Sequence, residues 1–110
     1  MLENIKRAYI IGVGGISMSA IARFLHAEGI EVLGSDITIN DEIKKLLKDN
    51  IIKFKLKASK EFVKSCDIVL FSSAISENNS DLLYAKKLGK PIFSRAEILG
   101  QLTQNKKTIS

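Results

Sequence analysis

Short apolar runs alternate along this chain with segments in which apolar residues recur every three to four positions. The run AYII within residues 6–12 has no strict polar alternation, which predicts a parallel strand covered on both faces. Residues 16–28 predict a helix that ends at Gly29. Its expected apolar stripe comprises Ile16, Ala20, Ile21, Phe24 and Leu25.

The same alternation continues to the end of the chain. Strands are predicted over residues 30–35, 52–57, 67–71 and 90–94. Helices are predicted over residues 41–49, 59–65 and 80–88, and from Ser94 onward, where Ser94 and Glu97 have capping-box spacing. Asn40 or Asp41 caps the first of these helices, Ser59 caps the second, and a further strand begins within residues 105–110.

Strands that alternate with helices require parallel pairing and right-handed crossovers. The fold class predicted is therefore α/β: a Rossmann-like, doubly wound, mainly parallel five-stranded sheet with helices on both faces. In the third strand Ile52, Phe54 and Leu56 alternate with lysines, which predicts one buried face. A lysine row is typical of an edge strand that avoids pairing with other chains, although it also suits an anion-binding patch.

Composition excludes several classes of function. The 110 residues include one cysteine, Cys66, and one histidine, His26, which are too few for an intrachain disulfide or the usual zinc site. We expect Cys66 to have a packing role. No apolar run approaches the roughly 20 residues of a membrane helix, and no signal peptide begins the chain, so we expect a cytoplasmic protein without a membrane partner. The net charge of +5 is spread along the chain and does not indicate nucleic acid.

The segment IIGVGGIS has the features of a phosphate-binding turn between a strand and a helix. Gly12 permits a sharp turn, Gly14 allows close approach of a pyrophosphate, and the N–H groups of Gly15, Ile16 and Ser17 begin a helix that favours an anion. A tight turn without a ligand is the alternative.

Two further segments, Ser35-Asp36 and residues 72–76, are expected at the same edge of the sheet. Asp36 follows the second strand, where an acid commonly binds ribose hydroxyls, or it serves as a cap or turn aspartate. The loop after the fourth strand offers hydroxyls and backbone donors, and Arg95 is an anion clamp or a surface arginine. Because no catalytic constellation accompanies them, these residues indicate a nucleotide-binding domain without its own chemistry.

Four motifs that follow one another along the chain resemble those of a known family. IGVGGISMSAIARFL, GSD at residues 34–36, SSAI at residues 72–75 and SRAEILGQL at residues 94–102 resemble the N-terminal domain of alanine-adding enzymes in the Mur ligase family. The resemblance implies binding of the UDP part of UDP-N-acetylmuramate during peptidoglycan synthesis. The implied UDP-binding residues are Gly12, Gly14, Gly15, Ile16, Ser17, Met18, Ser35, Asp36, Ser72, Ser73, Ala74 and Arg95.

The resemblance also implies a larger, three-domain enzyme. Residues 1–104 are expected to form the UDP-binding domain, and residues 105–110 the start of a central ATP-binding domain or a linker. In the whole enzyme, ATP phosphorylates the muramate carboxylate, L-alanine attacks the acyl phosphate, and Mg²⁺ screens the charges. No catalytic, ATP-binding or metal-binding residue is expected here, so the fragment is expected to be inactive alone and to partner with the enzyme's other domains.

This chain departs from the family pattern at two places. Ser17 stands where glycine is usual, and Lys57-Ala58 stands where many members have Gly-His. The alternatives are an NAD(P)-binding domain of an oxidoreductase, the related ligase that recycles a murein tripeptide, and a non-enzymatic ligand-sensing or nucleic-acid-binding module.

Overall fold

A computed structural model describes residues 4–105 of the chain. Five strands alternate with five helices along it. The elements are β1 (Arg7–Ile11), α1 (Ile16–Ala27), β2 (Glu31–Ser35), α2 (Asp41–Asp49), β3 (Lys53–Lys55), α3 (Lys60–Ser65), β4 (Ile68–Phe71), α4 (Ser80–Leu88), β5 (Ile92–Ser94) and α5 (Arg95–Asn105). The strand predicted to begin within residues 105–110 lies, from residue 106 onward, outside the described residues.

The five strands form one parallel sheet in the order β3-β2-β1-β4-β5. Ile10 of β1 is in register with Gly34 on one side and with Leu70 on the other. The chain proceeds outward from β1 to β3 and then returns to β4, so the strand order reverses beside β1. Ligands of doubly wound sheets bind at the carboxyl ends of the strands at this reversal.

Apolar side chains pack on both faces of the sheet. Ala8 and Ile10 belong to one buried cluster, which includes α1, α2 and Ile98 of α5. Tyr9 belongs to the other, together with residues of α3 and α4, because successive side chains of a strand point to opposite faces. The predicted α/β fold with helices on both faces is confirmed.

The predicted apolar stripe of α1 is wrong at its first turn. Ile16 is 82% exposed, and Ala20 is also exposed. The buried stripe instead consists of Met18, Ser19, Ile21, Ala22 and Leu25. Both stripes have helical spacing, and the one that faces the sheet is decided by how the preceding glycine loop directs the helix.

The third strand is the edge strand that its lysines predict, because within residues 4–105 β3 pairs with β2 alone. It ends at Lys55, so Leu56 leaves the sheet and is 49% exposed, contrary to the expected buried face. Lys55 is half-buried, with its Nζ 4.6 Å from the centre of the Phe62 ring. The packing role expected of Cys66 is confirmed by its burial, which raises the pKa of its thiol.

Asn40, rather than Asp41, caps α2: its Oδ1 accepts a hydrogen bond from Ile43 N at 2.8 Å. The predicted capping box is also present, since Ser94 Oγ accepts from Glu97 N while Glu97 Oε1 accepts from Ser94 N. These two bonds begin α5 directly after β5 and thereby place Arg95 at the carboxyl edge of the sheet.

Candidate functional site

The glycine loop between β1 and α1 is tied to the end of β2 by its own backbone. The carbonyl oxygen of Ser35 accepts hydrogen bonds from Gly12 N at 2.8 Å and from Val13 N at 3.1 Å. Gly14 N donates to Asp36 Oδ2 at 3.0 Å. Three successive N–H groups are therefore satisfied by β2 and its following residue, which holds the loop in one conformation.

Two glycines of the loop are needed for the close packing of neighbouring segments. Gly12 has φ +88°, and a Cβ there would lie 2.7 Å from Ser72 Oγ. A Cβ at Gly14 would lie 2.8 Å from Asp36 Oδ2 and 2.9 Å from the backbone oxygen of Thr38. The loops after β1, β2 and β4 therefore meet at one place, as the sequence predicts.

The first turn of α1 presents backbone donors to this place. Gly15 is the N-cap and supplies no side-chain cap, and the first turn contains no acidic residue. The first helical bond is Ser19 N to the Gly15 carbonyl oxygen, at 2.8 Å. The N–H groups of Ile16, Ser17 and Met18 have no acceptor among residues 4–105. Unpaired donors and the positive end of the helix dipole together favour a bound anion.

The side chains of this turn differ in their access to the site. Met18 is 1% exposed and packs in the core, so its side chain is not available to a ligand. Ser17 is exposed, and its Oγ accepts a hydrogen bond from Arg95 Nη1 at 3.3 Å. Arg95 is the first residue of α5 and is also exposed. The structure thus brings a guanidinium to the N-terminus of α1.

The residues that follow β4 form a second wall. Ser72 N donates to the Ile11 carbonyl oxygen at 3.2 Å, which continues the pairing of β4 with β1. Ser72 Oγ accepts from Ala74 N at 3.3 Å, while Ser73 and Ala74 are exposed. This loop presents its hydroxyls and backbone next to Gly12.

The two residues at the end of β2 have structural partners. Asp36 accepts hydrogen bonds from Gly14 N and, at 3.3 Å, from Thr38 N, so it serves as a turn aspartate that orders the glycine loop. Its contact with a ribose stays a prediction. Ser35 is 4% exposed, and its hydroxyl lies 2.7 Å from Tyr9 Oη. The hydroxyl of Ser35 therefore points into the protein, and its carbonyl oxygen is the group that supports the loop.

A cavity of about 260 Å³ lies beside the glycine loop at the same edge of the sheet. Several residues that line it were not predicted as site residues from the sequence. They come from the segments after β2 and β3 and from the start of α4. Its lining residues are Ile11, Gly12, Ser35, Asp36, Ile37, Lys57, Ala58, Ile75, Asn79, Ser80 and Asp81. These residues could have been predicted from their positions in the sequence, because a residue just after a parallel strand or at the start of the next helix lies at the carboxyl edge of the sheet.

A second cavity, of about 350 Å³, lies at the opposite edge, near His26, Gly29 and Ile51. Within residues 4–105, no group of three or more histidine, cysteine or acidic side chains is placed to hold a metal ion. None of the helices in that range is long and apolar enough to cross a membrane.

Comparisons with known sequences identify one family. The sequence model of the Mur ligase family, catalytic domain, matches residues 7–107. The UDP-N-acetylmuramate–L-alanine ligase of Carboxydothermus hydrogenoformans is 38% identical over 109 residues, which are 99% of this chain and 24% of that protein. The same-named enzyme of Clostridium kluyveri is 37% identical over 102 residues, 93% of this chain and 22% of that protein.

A solved structure agrees with these sequence relationships. The UDP-N-acetylmuramate-alanine ligase of Thermotoga maritima superposes with a TM-score of 0.85 at 26% identity, covering 94% of this chain and 24% of that one. The chain spans about a quarter of the length of these relatives. The match of the family model over residues 7–107 shows that the chain belongs to the Mur ligase family.

Proposed function

We propose that this chain binds the UDP part of UDP-N-acetylmuramate and is the N-terminal domain of a ligase that adds L-alanine to that substrate in peptidoglycan synthesis. The observation that carries the proposal is the first turn of α1, where three N–H groups lack an acceptor among the described residues and Arg95 lies alongside. This arrangement suits a diphosphate, which presents several anionic oxygens to donors from different segments.

The cavity beside the loop suits the nucleoside half of the same ligand. It is adjacent to the glycine loop through Gly12, and its lining includes the apolar side chains of Ile37, Ala58 and Ile75. Apolar walls with a few polar groups are typical of sites for flat, partly polar ligands. A diphosphate at the start of α1 and a uridine in the cavity are consistent with one continuous site.

Two alternatives are less well supported. An NAD(P)-binding oxidoreductase domain shares the glycines and Asp36, but the sequence relatives over most of the chain are ligases. The ligase that recycles a murein tripeptide belongs to the same family, and the named sequence relatives are alanine ligases. Membership in the family together with these names favours the alanine-adding enzyme.

ATP and Mg²⁺ are needed by the proposed reaction as a whole. The described residues offer no acidic or histidine cluster to Mg²⁺, and the sequence contains no Gly-x-x-x-x-Gly-Lys-Ser/Thr loop. We therefore assign no step of the ATP chemistry to these residues. Their proposed part is to bind and orient the UDP-sugar, so that its lactyl carboxylate is presented to the remaining domains, which we propose hold ATP and L-alanine.

Isothermal titration calorimetry of the 110-residue chain tests the proposal. We expect heat of binding with UDP-N-acetylmuramate and with UDP, and much weaker binding with uridine, which lacks the diphosphate. NAD⁺ is the control ligand, because it also presents a pyrophosphate. Micromolar binding of NAD⁺ without a response to UDP would overturn the proposal in favour of an oxidoreductase domain.

A further inference from the structure

Helix α5 is anchored to the rest of the molecule by few buried groups. The structure describes its side chains over residues 95–101, and among these Ile98 alone is buried. Ile98 packs in the apolar cluster that includes Ile10 and Leu70 of the sheet. Because the packing of an apolar face supplies most of the stability of a helix in a protein, α5 depends strongly on this side chain and on the bonds at its N-terminus.

Gly100 weakens the same helix. It lies in the interior of α5, where glycine is less favourable than alanine because it loses more backbone entropy on folding. Its φ does not lie in the left-handed region, and no described atom outside the helix backbone lies within 4 Å of the position of an added Cβ. Neither conformation nor packing therefore requires a glycine here. Gly100 lowers the free energy needed for local opening of α5.

Arg95 ties the N-terminus of α5 to the candidate diphosphate site. Its Nη1 donates to Ser17 Oγ at 3.3 Å, beside the N–H groups of α1 that have no acceptor within residues 4–105. A guanidinium carries several N–H donors, and the bond to Ser17 uses one of them. A diphosphate on α1 can therefore accept hydrogen bonds from Arg95 as well as from the helix, and charge-assisted bonds of this kind are stronger than neutral ones.

Resting on the proposed function, we propose that UDP bound at α1 suppresses the local opening of α5 through Arg95. When α5 opens, Arg95 leaves the site and the diphosphate loses its guanidinium partner. UDP therefore binds more tightly while α5 is closed, and a ligand that prefers one of two states shifts the population toward that state. The occupancy of the nucleotide site thus changes the stability of a helix that reaches this site through its first residue.

The size of this effect follows from linkage. The preference of UDP for closed α5 equals the affinity that Arg95 contributes. The opening constant of α5 should therefore fall by the same factor by which Arg95→Ala raises the Kd for UDP. That factor is expected to be about three- to tenfold, because the guanidinium is exposed and its charge is partly screened.

Hydrogen–deuterium exchange of backbone amides, followed by NMR on the unaltered 110-residue chain, is the first test. In saturating UDP, the amides of residues 99–102 in α5 are expected to exchange about three- to tenfold more slowly than in the free chain. The amides of residues 46–49 in α2 are the internal control, because α2 contributes no residue to the cavity beside the glycine loop. Exchange in α5 that UDP leaves unchanged, or slows only as much as in α2, overturns the inference.

Arg95→Ala and Lys87→Ala form a matched pair of variants. With UDP raised to the same saturation, Arg95→Ala should lose the slowing in α5, because the ligand no longer contacts Arg95, while the amides of the glycine loop stay protected. Lys87→Ala removes the same charge from α4 and should retain the slowing. Slowing of α5 in Arg95→Ala as large as in the unaltered chain would show that another contact connects the ligand to α5, and it would overturn the role of Arg95.

Gly100→Ala tests whether α5 opens locally. The added methyl group meets no described atom outside the helix, so the free chain should show about three- to fivefold slower exchange across α5, with α2 unchanged. The further slowing by UDP should persist, since it depends on Arg95 and not on helix propensity. Exchange in α5 that Gly100→Ala slows no more than in α2 would show that these amides exchange by global unfolding, which contradicts the inference.

The outcomes separate the two proposals. If the unaltered chain binds UDP and the exchange of α5 does not respond, this inference fails and the proposed function stands. If the unaltered chain binds neither UDP nor UDP-N-acetylmuramate, the proposed function fails and takes this inference with it.

Discussion

Arg95 Nη1 donates a hydrogen bond to Ser17 Oγ at 3.3 Å, although the two residues are 78 positions apart in the chain. This contact joins the first turn of α5 to the first turn of α1, whose N–H groups find no acceptor in the described part of the chain. It places the guanidinium where a diphosphate on α1 can receive a charge-assisted hydrogen bond.

Replacing Arg95 is therefore expected to weaken nucleotide binding. Arg95→Ala should raise the Kd for UDP by about three- to tenfold, because the guanidinium is exposed and part of its attraction is screened. The effect should shrink as salt is added in the calorimeter. Lys87→Ala removes the same charge from the last turn of α4 and should leave the Kd unchanged. Equal effects of the two variants would contradict a direct role for Arg95.

The Ser17 hydroxyl accepts a hydrogen bond from Arg95 Nη1. Ser17→Gly removes this acceptor but keeps the backbone N–H that faces the site. We expect the Kd for UDP to remain within about twofold, since the loss of one weak, exposed hydrogen bond is small. A much weaker affinity would show instead that the hydroxyl itself contacts the phosphates.

The two glycines that precede α1 are expected to differ in their tolerance of a methyl group. Gly14→Ala should lower the free energy of unfolding by about 1–3 kcal/mol, because the new Cβ meets Asp36 Oδ2 and the Thr38 backbone within 3 Å. The Cβ added by Gly15→Ala has only the Gly12 carbonyl oxygen nearby, at 3.8 Å. This substitution should lower the free energy of unfolding by less than about 1 kcal/mol. Urea denaturation of both variants measures the difference, and similar losses would contradict the packing argument.

Asp36 holds the glycine loop through Gly14 N and its own turn through Thr38 N. Asp36→Ala leaves both donors without this acceptor and should lower the free energy of unfolding by about 1–2 kcal/mol. UDP binding should weaken as well, because the loop loses its ordering. Asp36→Asn retains one carbonyl oxygen for Gly14 N and should recover most of the stability. Full stability of Asp36→Ala would show that the loop is ordered without this side chain.

Asp67 gives folding stability a specific pH dependence. Its Oδ2 accepts from Lys6 N at 2.9 Å and Arg7 N at 3.0 Å, and these two bonds hold the pKa of Asp67 below its ordinary value of 3.8. Since the folded pKa is lowered, the contribution is fully present above pH 3.8 and is lost as the pH falls through the folded value. The free energy of unfolding, measured from pH 7 to pH 2, should therefore fall more steeply with decreasing pH for the unaltered protein than for Asp67→Asn. Parallel curves would contradict this assignment.

The architecture follows from the sequence because it depends on local patterns. Apolar runs separated by helical periodicity require parallel strands with crossover helices, and the glycines after β1 mark the turn. Helix starts at Asn40, Ser59 and Ser94 are equally local, since each cap bonds an N–H only three residues away. The convergence of the loops after β1, β2 and β4 also follows, because parallel strands bring their carboxyl ends to one edge.

Tertiary structure alone decided which groups each residue meets at that edge. The stripe of α1 that faces the sheet is the one containing Met18 and not Ile16, since periodicity does not set the direction in which a helix leaves its loop. Ser35 directs its hydroxyl to Tyr9, and Asp81 comes to the cavity beside Asp36. These contacts join residues far apart in the chain, and they depend on strand order and side-chain packing, which no local pattern contains.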